Sequence, residues 1–83
     1  MLSDDDAMAS EFYREAVATA ARRAHADPGS SHCVYWDGED IFVRISTAVP
    51  PPDSKLVCAA EYWRNDTVRL RFERGLRSVW VHV

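Results

Sequence analysis

The chain reads as an α+β domain: one N-terminal helix packed on one face of a four- to five-stranded antiparallel meander sheet. Three observations predict this. Residues 4–26 are alanine-rich with a helical apolar period, while the later segments alternate apolar and polar residues. Turn-forming pairs (Asp37-Gly38, Asn65-Asp66, Arg74-Gly75) separate those segments at hairpin spacing. At 83 residues there is room for one domain, 1–83, with a modest core, and the 47% hydrophobic content is that of a folded globule.

The helix is expected over about 4–26. Ser3 can cap it with Asp6 three residues on, and Asp4, Asp5 and Asp6 suit the positive end of the helix dipole. Arg22, Arg23 and His25 suit the opposite end, and Asp27-Pro28-Gly29 stops it. At 100° per residue, Met8, Ala9, Phe12, Tyr13, Ala16, Val17, Ala20 and Ala24 form one apolar arc. Glu11, Arg14, Glu15 and Arg22 fall outside it. A stripe so rich in alanine lets the helix lie close to whatever it covers.

Strands are expected at about 32–36, 41–47, 55–63, 67–73 and 76–83. A two-residue Asp37-Gly38 loop would pair Val34 with Ile41 and Cys33 with Phe42. Pro50-Pro51-Pro52 cannot donate to a ladder, so it forms an extended connector. In the third strand Leu56, Cys58, Ala60 and Tyr62 are expected to face the helix. A two-residue Arg74-Gly75 loop would pair Leu70 with Val79, Val68 with Val81, Arg69 with Trp80 and Arg71 with Ser78. That register turns the valines to the helix and Trp80 away from it. A glycine-bulge loop one residue longer would reverse the last strand and bury Trp80.

Charge is unevenly spread. Residues 1–53 carry ten acids against four arginines, a net of −6, and residues 54–83 carry six bases against three acids, a net of +3. Arginine outnumbers lysine nine to one, a bias that a GC-rich genome also produces. No apolar run approaches the roughly 20 residues that span a bilayer, so no membrane partner is expected. The acidic Met-Leu-Ser-Asp-Asp-Asp start is unlike a secretory signal, and a cytoplasmic location is the expectation. Cys33 and Cys58 fit that compartment as reduced core residues.

Catalytic and metal chemistry finds little support. Asp37-Gly38-Glu39-Asp40 is a solvated hairpin turn rather than a calcium loop, which spreads its ligands over about twelve residues. His32 and Cys33 are adjacent in a strand, point to opposite faces and cannot readily grip one ion. Asp27 to His32 follows a helix, whereas a phosphate cradle needs to open one. A Cys33–His82 nucleophile pair lacks an orienting group and an oxyanion hole. No enzyme activity, cofactor or metal is expected.

The face away from the helix is the candidate site. On the register above it carries Tyr35, Phe42, Arg44, Val57, Trp63, Arg69, Arg71, Trp80 and His82. Aromatics mixed with arginine are the composition of protein contact hot spots. The blander reading is an Arg69–Trp80 cation–π pair with no further task. The functional expectation is a small non-enzymatic protein-binding module acting through this face or the Lys55–Trp63 edge. By analogy of size and charge, accessory or inhibitor proteins of phage and mobile-element counter-defence are of this kind. Self-association through the same face is a variant. The alternative is single-stranded nucleic-acid binding, with bases stacked on Tyr62, Trp63, Phe72 and Trp80 and phosphates on the C-terminal arginines; the net charge of −3 opposes it.

Overall fold

The computed structural model describes residues 11–74 and 76–83, with side-chain detail omitted at 74. One helix, α1 (Glu11–Ala26), precedes five strands: β1 (Ser31–Trp36), β2 (Ile41–Ile45), β3 (Lys55–Arg64), β4 (Thr67–Arg74) and β5 (Arg77–His82). The fold is α+β, as the sequence predicts. The expected cap at Ser3, the acidic first turn and the contributions of Met8 and Ala9 lie outside the described residues. At the other end the Asp27 N–H donates to the Arg23 carbonyl at 3.0 Å and the Ser30 N–H to that of Asp27 at 3.0 Å, which closes the helix into its exit turn.

All neighbouring strands are antiparallel, in the order β2-β1-β3-β4-β5. The one departure from a sequential meander is at β3, which lies beside β1 and not beside β2. β2 ends opposite His32 and β3 begins opposite Trp36, so residues 46–54 travel back along the length of β1. Ser46 and Thr47, expected in the strand, form the turn that starts this return, with the Ser46 N–H on the Ser31 carbonyl at 2.9 Å. Consequently β3 is the central strand. The expectation that Lys55–Trp63 forms an edge is corrected, since the triple-proline connector carries the chain past β1 before pairing resumes.

Both terminal hairpin registers differ from expectation by two residues. Val34 pairs with Val43 and Trp36 with Ile41, which leaves a four-residue loop, Asp37–Asp40. The Asp37 carboxylate accepts the N–H of Glu39 at 2.9 Å and of Asp40 at 2.8 Å, and Gly38 adopts φ 102°. These side-chain bonds make the wider loop self-sufficient. In the last hairpin Leu70 pairs with Val81, Arg71 with Trp80 and Arg74 with Arg77. A shift of two preserves the side-chain alternation, so the register change leaves the faces of these two hairpins as expected. The β3–β4 turn has Asn65 at φ 52° and Asp66 at φ 61°, the paired positive values of a tight I′ hairpin.

The face under α1 holds the main core. Ala20, Ala24, Val34, Cys58 and Ala60 are fully buried, with Val68 and Leu70 nearly so. Alanines in the helix over small residues in β3 allow close approach, and Val34 is the large side chain that fills the middle. Phe12, expected in the apolar arc, is 80% exposed beside the β2 edge. Among the described residues α1 packs on β1, β2, β3 and β4 but does not reach β5. Five strands about 4.8 Å apart are wider than one helix about 10 Å across. Val79 and Val81 therefore sit on the helix side beyond the reach of α1.

Candidate arginine–tryptophan contact face

Strand alternation and two irregularities in β3 decide what the opposite face displays. Between Val34 and Tyr35 the partner changes from Cys58 to Leu56, so Val57 is an extra residue in β3. The bulge turns Leu56 to the open face and Val57 to the helix side, where it packs on the main core. This reverses the expected placement of both. A second bulge at Trp63, between the pairs Tyr62↔Val68 and Arg64↔Thr67, brings Glu61 opposite Arg69.

Of the nine residues expected on this face, the eight other than Val57 share it, but they form two unlike regions. The first, on β1–β3, is a small core of its own: Cys33, Tyr35 and Ala59 are buried, with Phe42 and Leu56 packed on them. Tyr35 pairs with Phe42 and is closed to a partner. Burial pushes its phenol above the usual range, and the charge of and hydrogen bond to Cys33 act in the same direction. Cys33 and Cys58 form no disulfide and lie on opposite faces. Arg44 stands at the β2 margin, exposed, with its guanidinium 6.0 Å from the Phe42 ring.

The second region, on β3–β5, is a stack. The Arg69 guanidinium lies 3.9 Å from the Trp63 ring centroid and 4.3 Å from that of Trp80. Its Nε donates to Glu61 Oε1. The Arg64 guanidinium lies 5.6 Å from the Trp63 ring centroid, and His82 is tilted against that ring at 6.2 Å. Arg71 is 5.9 Å from Trp80 and pairs with Glu73 at 3.4 Å. Trp63 is 40% exposed and Trp80 43%, so each keeps part of its surface open to water beside these neighbours.

The sequence reading placed Arg69 beside Trp80 but missed Trp63 as its second ring. It also missed Glu61, Glu73 and Arg64. Glu61 meets Arg69 only because Trp63 bulges, and no glycine or proline marks that place. The aromatics proposed as a base-stacking platform are divided. Tyr62 and Phe72 pair into the rows of Val68 and Val79 on the helix side, and only Trp63 and Trp80 share the open face.

Elsewhere the polar groups are explained by local structure. His32 is buried beneath the end of α1, its Nδ1 without a hydrogen-bond partner among the described residues. Burial holds its pKa below the usual histidine range, Arg23 adds to that, and Asp27 opposes it. The Asp37 carboxyl is held low by the N–H groups of Asp40 and Glu39. Among the described residues no three His, Cys, Asp or Glu side chains are grouped to hold a metal, and no helix is long and apolar enough to cross a membrane. No family model, curated protein or solved structure matches the chain.

Proposed function

We propose that this chain is a small non-catalytic protein-binding module that acts by covering part of a partner protein through the β3–β5 part of its open face. Such a role suits an accessory or inhibitor protein. The observation that carries the reading is the Trp63–Arg69–Trp80 stack. It holds two half-exposed tryptophans rigidly side by side, with Arg71 and His82 at the rim. Rigid aromatic rings beside arginine lose little side-chain freedom on contact and make strong hot spots. Of the eight candidate residues, Trp63, Trp80, Arg71 and His82 are the contact set. Arg69 positions the rings, and Tyr35 supports the sheet from below.

Nucleic acid is less well supported. Glu61 and Glu73 lie among the same arginines and already accept from or pair with Arg69 and Arg71. A phosphate would have to displace those carboxylates. The test is affinity capture from the native host, comparing wild type with Arg71→Ala, Trp80→Ala and the helix-surface control Arg14→Ala. A prey protein retained by the control and lost from both face variants is expected. A prey that binds all four alike overturns the reading. Tight oligonucleotide binding that weakens steeply with salt also overturns it, in favour of nucleic acid.

A further inference from the structure

We infer that the partner fitted by this end of the sheet is a second copy of the chain, joined by antiparallel pairing of the two β5 strands about a two-fold axis at Trp80. The inference rests on reading the Trp80 surface as a contact face and adds its occupant.

The backbone of β5 supplies the first argument. Val68 and Val83 exchange hydrogen bonds in both directions, at 3.0 and 2.8 Å. Antiparallel strands alternate, so Val83, Val81 and Val79 direct their N–H and C=O groups at β4. Ser78, Trp80 and His82 direct theirs outward, along an edge with no neighbouring strand among the described residues. Natural edges are usually blunted by proline, a bulge, or inward-facing lysine or other charge. Ser78 to His82 has no proline or carboxylate, and its pairing with β4 is regular.

The second argument is the order of side chains. Ser78-Val79-Trp80-Val81-His82 presents the same classes of residue read in either direction from Trp80. A two-fold axis there sets Trp80 against Trp80 of the other copy, Val79 against Val81, and Ser78 against His82. All three outward-facing residues then fall in hydrogen-bonded pairs. The valines fall in the closer, non-hydrogen-bonded pairs, on the side that α1 leaves uncovered. Val79, Trp80 and Val81 are 44, 43 and 41% exposed, so pairing covers apolar surface on both faces of the strand. Arg77 falls opposite Val83, so no like charges meet across the axis. A strand from an unrelated partner would satisfy the backbone, but would match this symmetry only by coincidence.

One strand pair buries less than the roughly 1,200 Å² of a standard interface, so the association is weak and reversible. Sedimentation of the full chain from about 10 μM to about 1 mM brackets that range. Wild type is expected to shift from monomer to dimer across it. Ser78→Pro removes an outward N–H and the hydroxyl contact with Glu73 but spares the backbone ladder to β4, and Val81→Lys puts a charge on the valine side of the pairing. Each should raise the dimerisation midpoint at least about tenfold, while Val49→Lys, an exposed site elsewhere, leaves it unchanged. An equimolar mixture of Val79→Glu and Val81→Lys should associate better than either variant alone, because the new charges face each other across the axis. Absence of rescue, a monomeric wild type at about 1 mM, or a dimer indifferent to Ser78→Pro and Val81→Lys overturns the pairing. A monomeric chain that still captures a host protein through Trp80 overturns the self-pairing alone. Loss of both overturns the contact-face reading as well.

Discussion

Removing Arg69 asks whether the stack is architecture or ornament. Its guanidinium touches two tryptophan rings at 3.9 and 4.3 Å, and its side chain is only 25% exposed. A cation–π contact contributes about 0.5–1 kcal/mol at exposed sites, and there are two here. The Glu61 ion pair is partly exposed, so solvent screening limits it to about 0–1 kcal/mol. Arg69→Ala should therefore destabilise the fold by about 1–3 kcal/mol. For a domain of this size each kcal/mol moves the melting midpoint by about 4–8 °C, so the shift is roughly 5–20 °C. Arg71 is the internal comparison: its nearest ring is 5.9 Å away and its carboxylate partner is exposed, so Arg71→Ala should cost no more than about 0.5 kcal/mol. Arg69→Lys keeps the charge but not the flat stacking surface, and should recover less than half of the loss. Thermal melts by circular dichroism, with tryptophan fluorescence as a second probe, read all three. If Arg69→Ala melts within about 2 °C of wild type, or no lower than Arg71→Ala, the rings are not held by this arginine and the rigidity argument for the contact face fails.

Three other outcomes follow from the geometry. Val34→Ala, at the fully buried centre of the sheet, should cost about 1.5–3 kcal/mol in urea unfolding; a loss below 0.5 kcal/mol would mean the core is looser than described. Gly38→Ala meets no atom within 4 Å, so only its backbone at φ 102° is strained; about 1 kcal/mol of destabilisation is expected, and a gain in stability would contradict the loop conformation. His32 has a folded pKa below its unfolded value, so the unfolded chain binds the extra proton first. Stability should fall as pH drops below about 6.5, and His32→Gln should flatten the difference in urea midpoint between about pH 7.5 and pH 5.5; an unchanged slope would place the titration elsewhere.

In the two terminal hairpins face assignment was legible in the sequence because it depends only on parity. Both terminal hairpins slipped by two residues, and Trp80, Arg69 and Arg71 still kept their side. Strand order was not legible, because Pro50-Pro51-Pro52 says where pairing stops and nothing about which strand it resumes beside. The bulges at Val57 and Trp63 were equally silent. Each is an ordinary strand-forming residue, and the extra length shows only when two strands are laid together. Those two bulges decide that Leu56 joins Tyr35 and that Glu61 meets Arg69. The reach of α1 was misjudged for a different reason. The apolar stripe of a helix states what it buries, while the number of strands it can cover is a matter of width. Hence Val79 and Val81, correctly assigned to the helix side, remain exposed.

The return of residues 46–54 past β1 divides the sheet into two locally folded parts: the β1–β2 hairpin, and the β3-β4-β5 meander. Each is closed by short turns, while the β1–β3 seam joins residues as far apart as Ser31 and Glu61. Closing the longer span costs more chain entropy, by (3/2)RT times the logarithm of the length ratio. A lone two-stranded hairpin is marginal in water, so the first part depends on the second for its persistence. The helix rests on strands of both parts and acts as the clasp between them. A chain built this way invites division at its connector. Cut between Val49 and Pro50, both exposed, the two fragments retain complementary seams and half a helix footprint each, the arrangement from which a split protein reassembles.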